Sequence, residues 1–244
     1  MRVGIMQPYF FPYLGYFSLI ERVDSWVVFD ITQYTPKTWM NRNRVLHPSG
    51  GWNWITVPLT NSSRSIVIHE AVVADAAATQ RSTLGKLSHY RNRAPYWREV
   101  EQIVRAAFAA EDGHSLVDLN VRGLGAVCSY LGIRFEPLVC STLGLDLAPP
   151  AHPGGWAPAI ARALGADEYI NPIGGLSLFD PAEFTGAGIA LGFLDQPPFT
   201  YDTGPYGFES SLSILDVLMW NSPSAVRAAM AAAAVIPAAE TVAA

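Results

Sequence analysis

Lysine is nearly missing from this chain. Of 16 basic residues only Lys37 and Lys86 are lysines, and 21 acidic residues leave a formal charge of -5. No basic stripe offers a landing surface, so no nucleic-acid partner is expected. Cysteine is as scarce: Cys128 and Cys140 are the two in 244 residues. They are too few for a disulfide framework and lack the C-x-x-C spacing of a zinc site, which leaves buried thiols in a reducing compartment as the plain expectation. The sequence holds no His-Glu-x-x-His, no Asp-x-Asp-x-Asp loop and no clustered histidine, so neither a metal nor another cofactor is called for. No apolar run reaches the roughly 18 residues needed to cross a bilayer. Pro8, Pro12 and Asp24 break up any secretory h-region, and the expectation is a soluble cytoplasmic protein with no membrane partner.

Half of the residues are apolar, enough to bury a large core. The segments "RVGIM", "YLGYFSLIERV" and "SWVVFD" read as strand, helix and strand, a unit that favours a parallel sheet. "NWITVP" (53 to 58) and "SIVIHE" (65 to 70), joined by "LTNSSR", read as a hairpin. Helices are expected over about 76 to 90, 95 to 110 and 115 to 131. The alternation then resumes with "RFEPLVC", "WAPAIARALG", "DEYIN", "DPAEFTGAG" and "IALGFL". Gly165 is placed for a helix C-cap, and Asp180-Pro181 for an N-cap with proline in the first turn. The expectation is one α/β domain over residues 1 to 236, a doubly wound, mostly parallel sheet of Rossmann-like arrangement. A hairpin and helices are inserted at about 50 to 131, and a helix ends near Pro237 before a frayed tail at 237 to 244.

In such sheets ligands bind outside the carboxyl ends of the strands, where the strand order reverses. Gln7, Asp30, Gln33, Cys140, Ser141 and the stretch Asn171 to Gly175 all follow expected strands and fall on that rim. The opening stretch "MQPYFFPYLGYFSLI" (6 to 20) leaves a strand, turns under two prolines and enters a helix near Tyr13. Its aromatics, Tyr9, Phe10, Phe11, Tyr13, Tyr16 and Phe17, cannot all face inward at helical spacing, so some line a cavity or an interface.

Together with "MNRNRV", "YRNRAPYW", "GADEYINPIGG" and "LSILDVLMWN", this opening resembles the WbqC-like protein family, from Met1 to about Ser222. The matching positions are Gln7, Pro8, Tyr9, Pro12, Gly15, Tyr16, Asp24, Asp30, Gln33, Asn41, Arg42, Asn43, Tyr90, Asn171, Gly174, Ser213 and Asp216. The resemblance implies a bacterial cytoplasmic protein associated with O-antigen sugar or specialised-metabolite biosynthesis. Two departures stand out: Cys140-Ser141 replaces a serine pair common in relatives, and the Trp-x-x-Lys-His often preceding the tyrosine near position 90 is missing. A looser likeness is to nucleotidyltransferase-like α/β proteins, but Pro12-Tyr13-Leu14-Gly15-Tyr16 lacks their phosphate-stabilising histidines, which weakens an adenylylating reading.

Asp30 and Cys140 are the candidate catalytic residues. Cys140 ends a strand at the rim, whereas Cys128 lies within an apolar helix. Activation of Cys140 would draw on a base among His47, His69, His89, His114 and His152, none at a diagnostic spacing. The substrate-binding candidates are Gln7, Tyr9, Tyr13 and Tyr16 of the opening block, Gln33 after the second strand, and Asn41, Arg42 and Asn43. Ser141, Asn171, Gly174 and Gly175 complete the set. Arg42 supplies planar donors for a carboxylate or phosphate, and "NPIGG" can wrap an anion or be a plain turn. Asp216, on a packing helix, reads as a structural cap or ion pair. "GLGAVC" (123 to 128) follows no strand and is set aside as a dinucleotide fingerprint.

The leading expectation is a transferase that moves an acyl or aminoacyl group from a thioester, on a carrier protein or coenzyme, to the amine of a small molecule or nucleotide-linked sugar. A Cys140-dependent thioester or amide hydrolase is the second expectation. The third is a non-catalytic binding or assembly module that holds a pathway enzyme or carrier protein through the aromatic block. On the first reading Gln7, Tyr16, Asp30, Asn41 and Arg42 face one cavity.

Overall fold

The computed structural model describes residues 1–109 and 115–241. The chain opens with β1 (Arg2–Met6), α1 (Leu14–Arg22) and β2 (Ser25–Val28). Val3, Ile5, Val27 and Val28 are all buried, as parallel strands between two helical layers require. A long excursion follows, with a hairpin of β3 (Arg42–Leu46) and β4 (Trp52–Thr56), then α2 (Ala76–Lys86), α3 (Trp97–Ala107) and α4 (Leu116–Leu131). The chain returns as β5 (Pro137–Val139), α5 (Trp156–Ala163), β6 (Glu168–Pro172), α6 (Pro181–Gly186) and β7 (Ala190–Asp195). It closes with α7 (Ile214–Trp220), α8 (Pro223–Ala231), β8 (Ala234–Pro237) and α9 (Ala238–Thr241).

The main sheet has six strands in the order β5-β2-β1-β6-β7-β8. Its first five strands pair in parallel and β8 runs antiparallel to β7. The protein is therefore α/β, with a mostly parallel sheet, flanking helices and a separate antiparallel hairpin. From β1 the chain moves outward through β2 to β5, then crosses back to β6 on the other side of β1. The crevice expected from this reversal opens between the carboxyl ends of β1 and β6.

Two apolar clusters cover the two faces. On one, Phe17 and Leu19 of α1 join Leu124 and Val127 of α4, Leu215 and Leu218 of α7, and the inside of the hairpin. On the other, Ile160 and Ala161 of α5 and Phe184 of α6 pack on Val3, Ile5 and Tyr169. The rings of Tyr169 and Phe184 stack at 5.4 Å.

Two local expectations are corrected. The hairpin pairs Arg42 with Thr56 through Leu46 with Trp52, not 53 to 58 with 65 to 70. Gly50 and Gly51, at φ 110° and 69°, supply the positive φ that a tight hairpin turn needs. "SIVIHE" instead gives one bridge, Val67 to Gln33, and a single 3-10 turn at Ile68–Glu70. The expected helix up to Pro237 stops at Ala231, because "AVIP" pairs along β7 from Asp195 to Gly192. Residues 238–241 form a short helix, and 242–244 lie outside the described residues. The cap signals are realised: Gly165 has φ 68°, and the Asp180 carboxylate accepts from Ala182 N–H at 2.9 Å.

Candidate functional site

The turn between β1 and α1 is fastened almost carbonyl by carbonyl. Tyr16 Oη donates to Gln7 O at 2.8 Å, and Asn120 Nδ2 donates to Pro8 O at 2.8 Å. Asn43 Nδ2 bridges Phe10 O at 3.0 Å and Phe11 O at 2.8 Å. Ser213 Oγ adds a second bond to Phe11 O at 2.7 Å, and Ile214 N–H donates to Pro12 O at 2.8 Å. Phe11 has φ 42°, the left-handed region that disfavours a bulky L-residue and persists only where the surroundings impose it. The bonds from Asn43 and Ser213 are that imposition. The aromatic opening thus divides in two: Phe10, Phe11, Tyr16 and Phe17 are buried core, and Tyr9 and Tyr13 turn toward a cleft.

That cleft has a volume of about 1080 Å³ and lies at the carboxyl ends of β1, β2 and β6. Of the sequence candidates it is lined by Gln7, Tyr9, Tyr13, Gln33, Asn43, Asn171, Gly174 and Gly175. Burial pushes the Tyr13 phenol up to about 12, helped by nearby Tyr9, and raises Tyr9 as well. Both phenols therefore remain hydrogen-bond donors at neutral pH. Trp39, Arg44, His152, Trp156 and Phe179 also line the cleft and were not singled out from the sequence as binding residues.

The remaining candidates sit elsewhere. Tyr16 is fully buried, its ring edge-on to Trp26 at 5.0 Å. Asn41 is buried and donates to Val57 O at 3.2 Å. Arg42 lies over the Trp54 ring at 4.0 Å. Asp30 is completely buried and accepts from Ser141 N–H at 2.9 Å and Ser141 Oγ at 2.6 Å, so it fastens the short turn after β5. Cys140 in that turn is buried, and burial together with Asp30 pushes its thiol up to about 11, the opposite of what a nucleophilic cysteine needs. Gln7, Tyr16, Asp30, Asn41 and Arg42 accordingly do not share one cavity: only Gln7 is on the cleft. His114 lies outside the described residues.

Part of the cleft wall is a seam between the 150–155 loop and the Ile173–Leu178 turn. A Cβ on Gly154 would fall 2.1 Å from Leu178 O, and one on Gly175 would fall 2.1 Å from Asn171 Nδ2, so both glycines allow close approach. Tyr169 Oη donates to Asn171 Oδ1 at 2.9 Å, and Asn171 Nδ2 donates to Pro172 O at 2.9 Å. His152 Nε2 and Glu183 Oε1 are 2.8 Å apart. In the neutral ring this pairing puts the proton on Nε2 and leaves Nδ1 as an acceptor. An imidazole oriented by a carboxylate on a cleft wall can serve as a general base.

A second polar cluster lies in the core. Asp216 is fully buried and accepts from Tyr90 Oη and, at 2.7 Å, from Tyr201 Oη. Tyr90 Oη in turn accepts from Leu46 N–H at 3.0 Å, which ties β3 to α7. Burial pushes the Asp216 carboxyl up to about 6 against the opposing effect of its donors. Among the described residues no cation pairs with Asp216 and no group of three or more metal-ligating side chains occurs.

Comparison with known proteins gives two positive results. The model of the WbqC-like protein family matches residues 7–228. The uncharacterized protein Rv1507c of Mycobacterium tuberculosis is 30% identical over 218 residues, which cover 89% of this chain and 92% of the relative. No solved structure matches. With the family model spanning both the fastened turn and the helix that holds it, the chain belongs to the WbqC-like protein family.

Proposed function

We propose that this protein is a transferase that moves an acyl or aminoacyl group from a thioester to an amine, in bacterial sugar or specialised-metabolite biosynthesis. The observation that carries the reading is the cleft itself, which is aromatic-walled, lined by the amides of Gln7 and Asn171, and provided with His152 on Glu183. In the reaction the amine nitrogen attacks the thioester carbonyl, the C–N bond forms and the C–S bond breaks. His152 Nδ1 accepts the ammonium proton and returns it to the departing thiolate, while amide and phenol donors hold the carbonyl oxygen. The Cys140 hydrolase gains no support from a buried thiol with a raised pKa. A purely docking role accounts less well for a cleft of about 1080 Å³ than for a flat patch.

The partners in this reading are a small-molecule amine or nucleotide-linked sugar and a thioester on a coenzyme or on an acyl or peptidyl carrier protein. The setting is the cytoplasm; among the described residues no helix is long and apolar enough to cross a membrane. A Rossmann-like, nucleotidyltransferase-like description draws support from the strand order, with the opening turn in place of a glycine-rich phosphate loop. Incubation with a panel of amines and acyl or aminoacyl thioesters, read by mass spectrometry, should yield an amide. His152→Ala should slow its formation about a hundredfold. No amide across a broad panel overturns the reading.

A further inference from the structure

The outer face of the β3–β4 hairpin carries an alternating stack of indoles and guanidiniums. Strand register places Arg44 opposite Trp54 and Arg42 opposite Thr56, and Trp39 joins from the preceding loop. The Arg44 guanidinium carbon lies 5.5 Å from the Trp39 ring centre and 5.3 Å from that of Trp52. Arg42 covers Trp54 at 4.0 Å. Trp39 and Arg44 line the cleft, and Trp39 and Trp52 remain 40% and 41% exposed, so the stack leads from the cleft to the surface.

Four other arginines pair with acids, Arg2 with Glu168, Arg105 with Glu101, Arg134 with Glu136 and Arg227 with Glu21, while Arg22 and Arg122 donate to backbone carbonyls. Among the described residues neither Arg42 nor Arg44 has a carboxylate partner. Arg44 Nη2 donates to Ser211 O at 3.1 Å, which fixes the fork. Its Nε is buried without an acceptor, as are Arg42 Nε and the Oγ1 of Thr32, another cleft residue. Arg42 and Arg44 project from the same face of the hairpin two residues apart, so an anion held by one also feels the charge of the other. A guanidinium stacked on an indole keeps its N–H edge open for two oxygens at once.

We propose that Arg44, flanked by Trp39 and Trp52 and seconded by Arg42, is a binding subsite for the phosphate of an organic phosphoester entering the cleft. This rests on the transferase reading in that it names what the thioester donor and the acceptor would have in common. A phosphopantetheine thioester and a nucleotide-linked sugar both carry such a phosphate, and both would lay their uncharged, reacting end toward Gln7 and His152. Exposed indoles beside the phosphate would also stack on a nucleobase.

The test is titration calorimetry of the full chain with inorganic pyrophosphate, with uridine diphosphate and with coenzyme A, at low and at raised salt. Wild type should bind at least one, with affinity falling as salt rises. Arg44→Ala should weaken that binding about tenfold or more, Arg44→Lys should recover part of it, and Arg42→Ala should weaken it less. Preference for coenzyme A over uridine diphosphate, or the reverse, identifies the source of the phosphate. Circular dichroism melting checks that the variants fold; if Arg44→Ala does not, Arg42→Ala combined with Trp52→Ala provides the same reading without disturbing the bond to Ser211. Absence of binding to all three probes in wild type, or unchanged affinity in folded Arg44 variants, overturns the subsite. Amide formation without phosphate binding would leave the transferase reading standing alone, and phosphate binding without amide formation would leave the subsite standing alone.

Discussion

Replacing Asp216 by Asn converts a buried titratable group into a neutral isostere, and the consequence is a change in how stability depends on pH. Asp216 moves from the ordinary 3.8 to about 6 on folding because burial penalises its charge more than Tyr90 and Tyr201 relieve it. The folded state therefore holds the proton more tightly than the unfolded state. The sign follows: the protonated carboxyl contributes stability below about pH 4, and that contribution is lost as pH rises through about 6. A difference of about 2 pH units is about 3 kcal/mol in total, of which roughly 2 kcal/mol falls between pH 4 and pH 8. Urea unfolding of wild type and Asp216→Asn across that range isolates the effect, since other titrating groups cancel in the difference. The stability of wild type relative to the variant should decline by that amount from acid to neutral pH. A flat difference, or one that moves in favour of wild type as pH rises, refutes the reasoning and would mean that the phenol donors, not burial, govern this carboxyl.

Four further outcomes are expected. Ser213→Ala removes the bond to Phe11 O and the cap on Leu215 N–H, and should cost about 1–2 kcal/mol in chemical denaturation. Asn43→Ala releases Phe10 O, Phe11 O and Arg44 N–H together, so it should cost more than Ser213→Ala and also weaken ligand binding. Burial pushes Cys140 up to about 11 and Cys128 up to about 12; native protein at pH 8 should resist iodoacetamide by mass spectrometry and take up label on both thiols once unfolded. Gly175→Ala forces Asn171 out of its place and should reduce turnover in the amide assay well before it lowers the melting temperature.

The alternation of strands and helices was legible because buried parallel strands are short apolar runs and the helices carry their own caps, such as Asp180-Pro181. The rim rule gathered Gln7, Gln33, Asn171 and the two glycines, which the sheet places along one cleft. "NRNRV" was expected as a source of binding groups, with no strand assigned to it. It is a strand, and the period of two sends Asn43 inward to hold the turn and both arginines outward. Which arginine meets the cleft depends on where the hairpin leans, a tertiary fact with no local signature. The pairing of His152 with Glu183 spans 31 residues between a loop and α6, so nothing in either neighbourhood announces it. Asp30 looks chemical in sequence because it follows a strand, and Tyr16 because it belongs to the aromatic opening block. Here their partners are Ser141 and the backbone at Gln7, and both serve the scaffold.

The fastened turn after β1 also bears on when the protein becomes competent during folding. Its ties come from partners 9, 33, 112 and 202 residues distant in sequence, so the last cannot form until nearly all of the chain is present. Contacts this distant close late, after local helices and neighbouring strands have formed. A chain emerging from synthesis, N-terminus first, can possess β1, α1 and the hairpin with Asn43 already on Phe11 O while the bond from Ser213 is still missing. The cleft floor would then gain its final shape only when α7 docks, which makes an incomplete chain unable to bind with the affinity of the finished one.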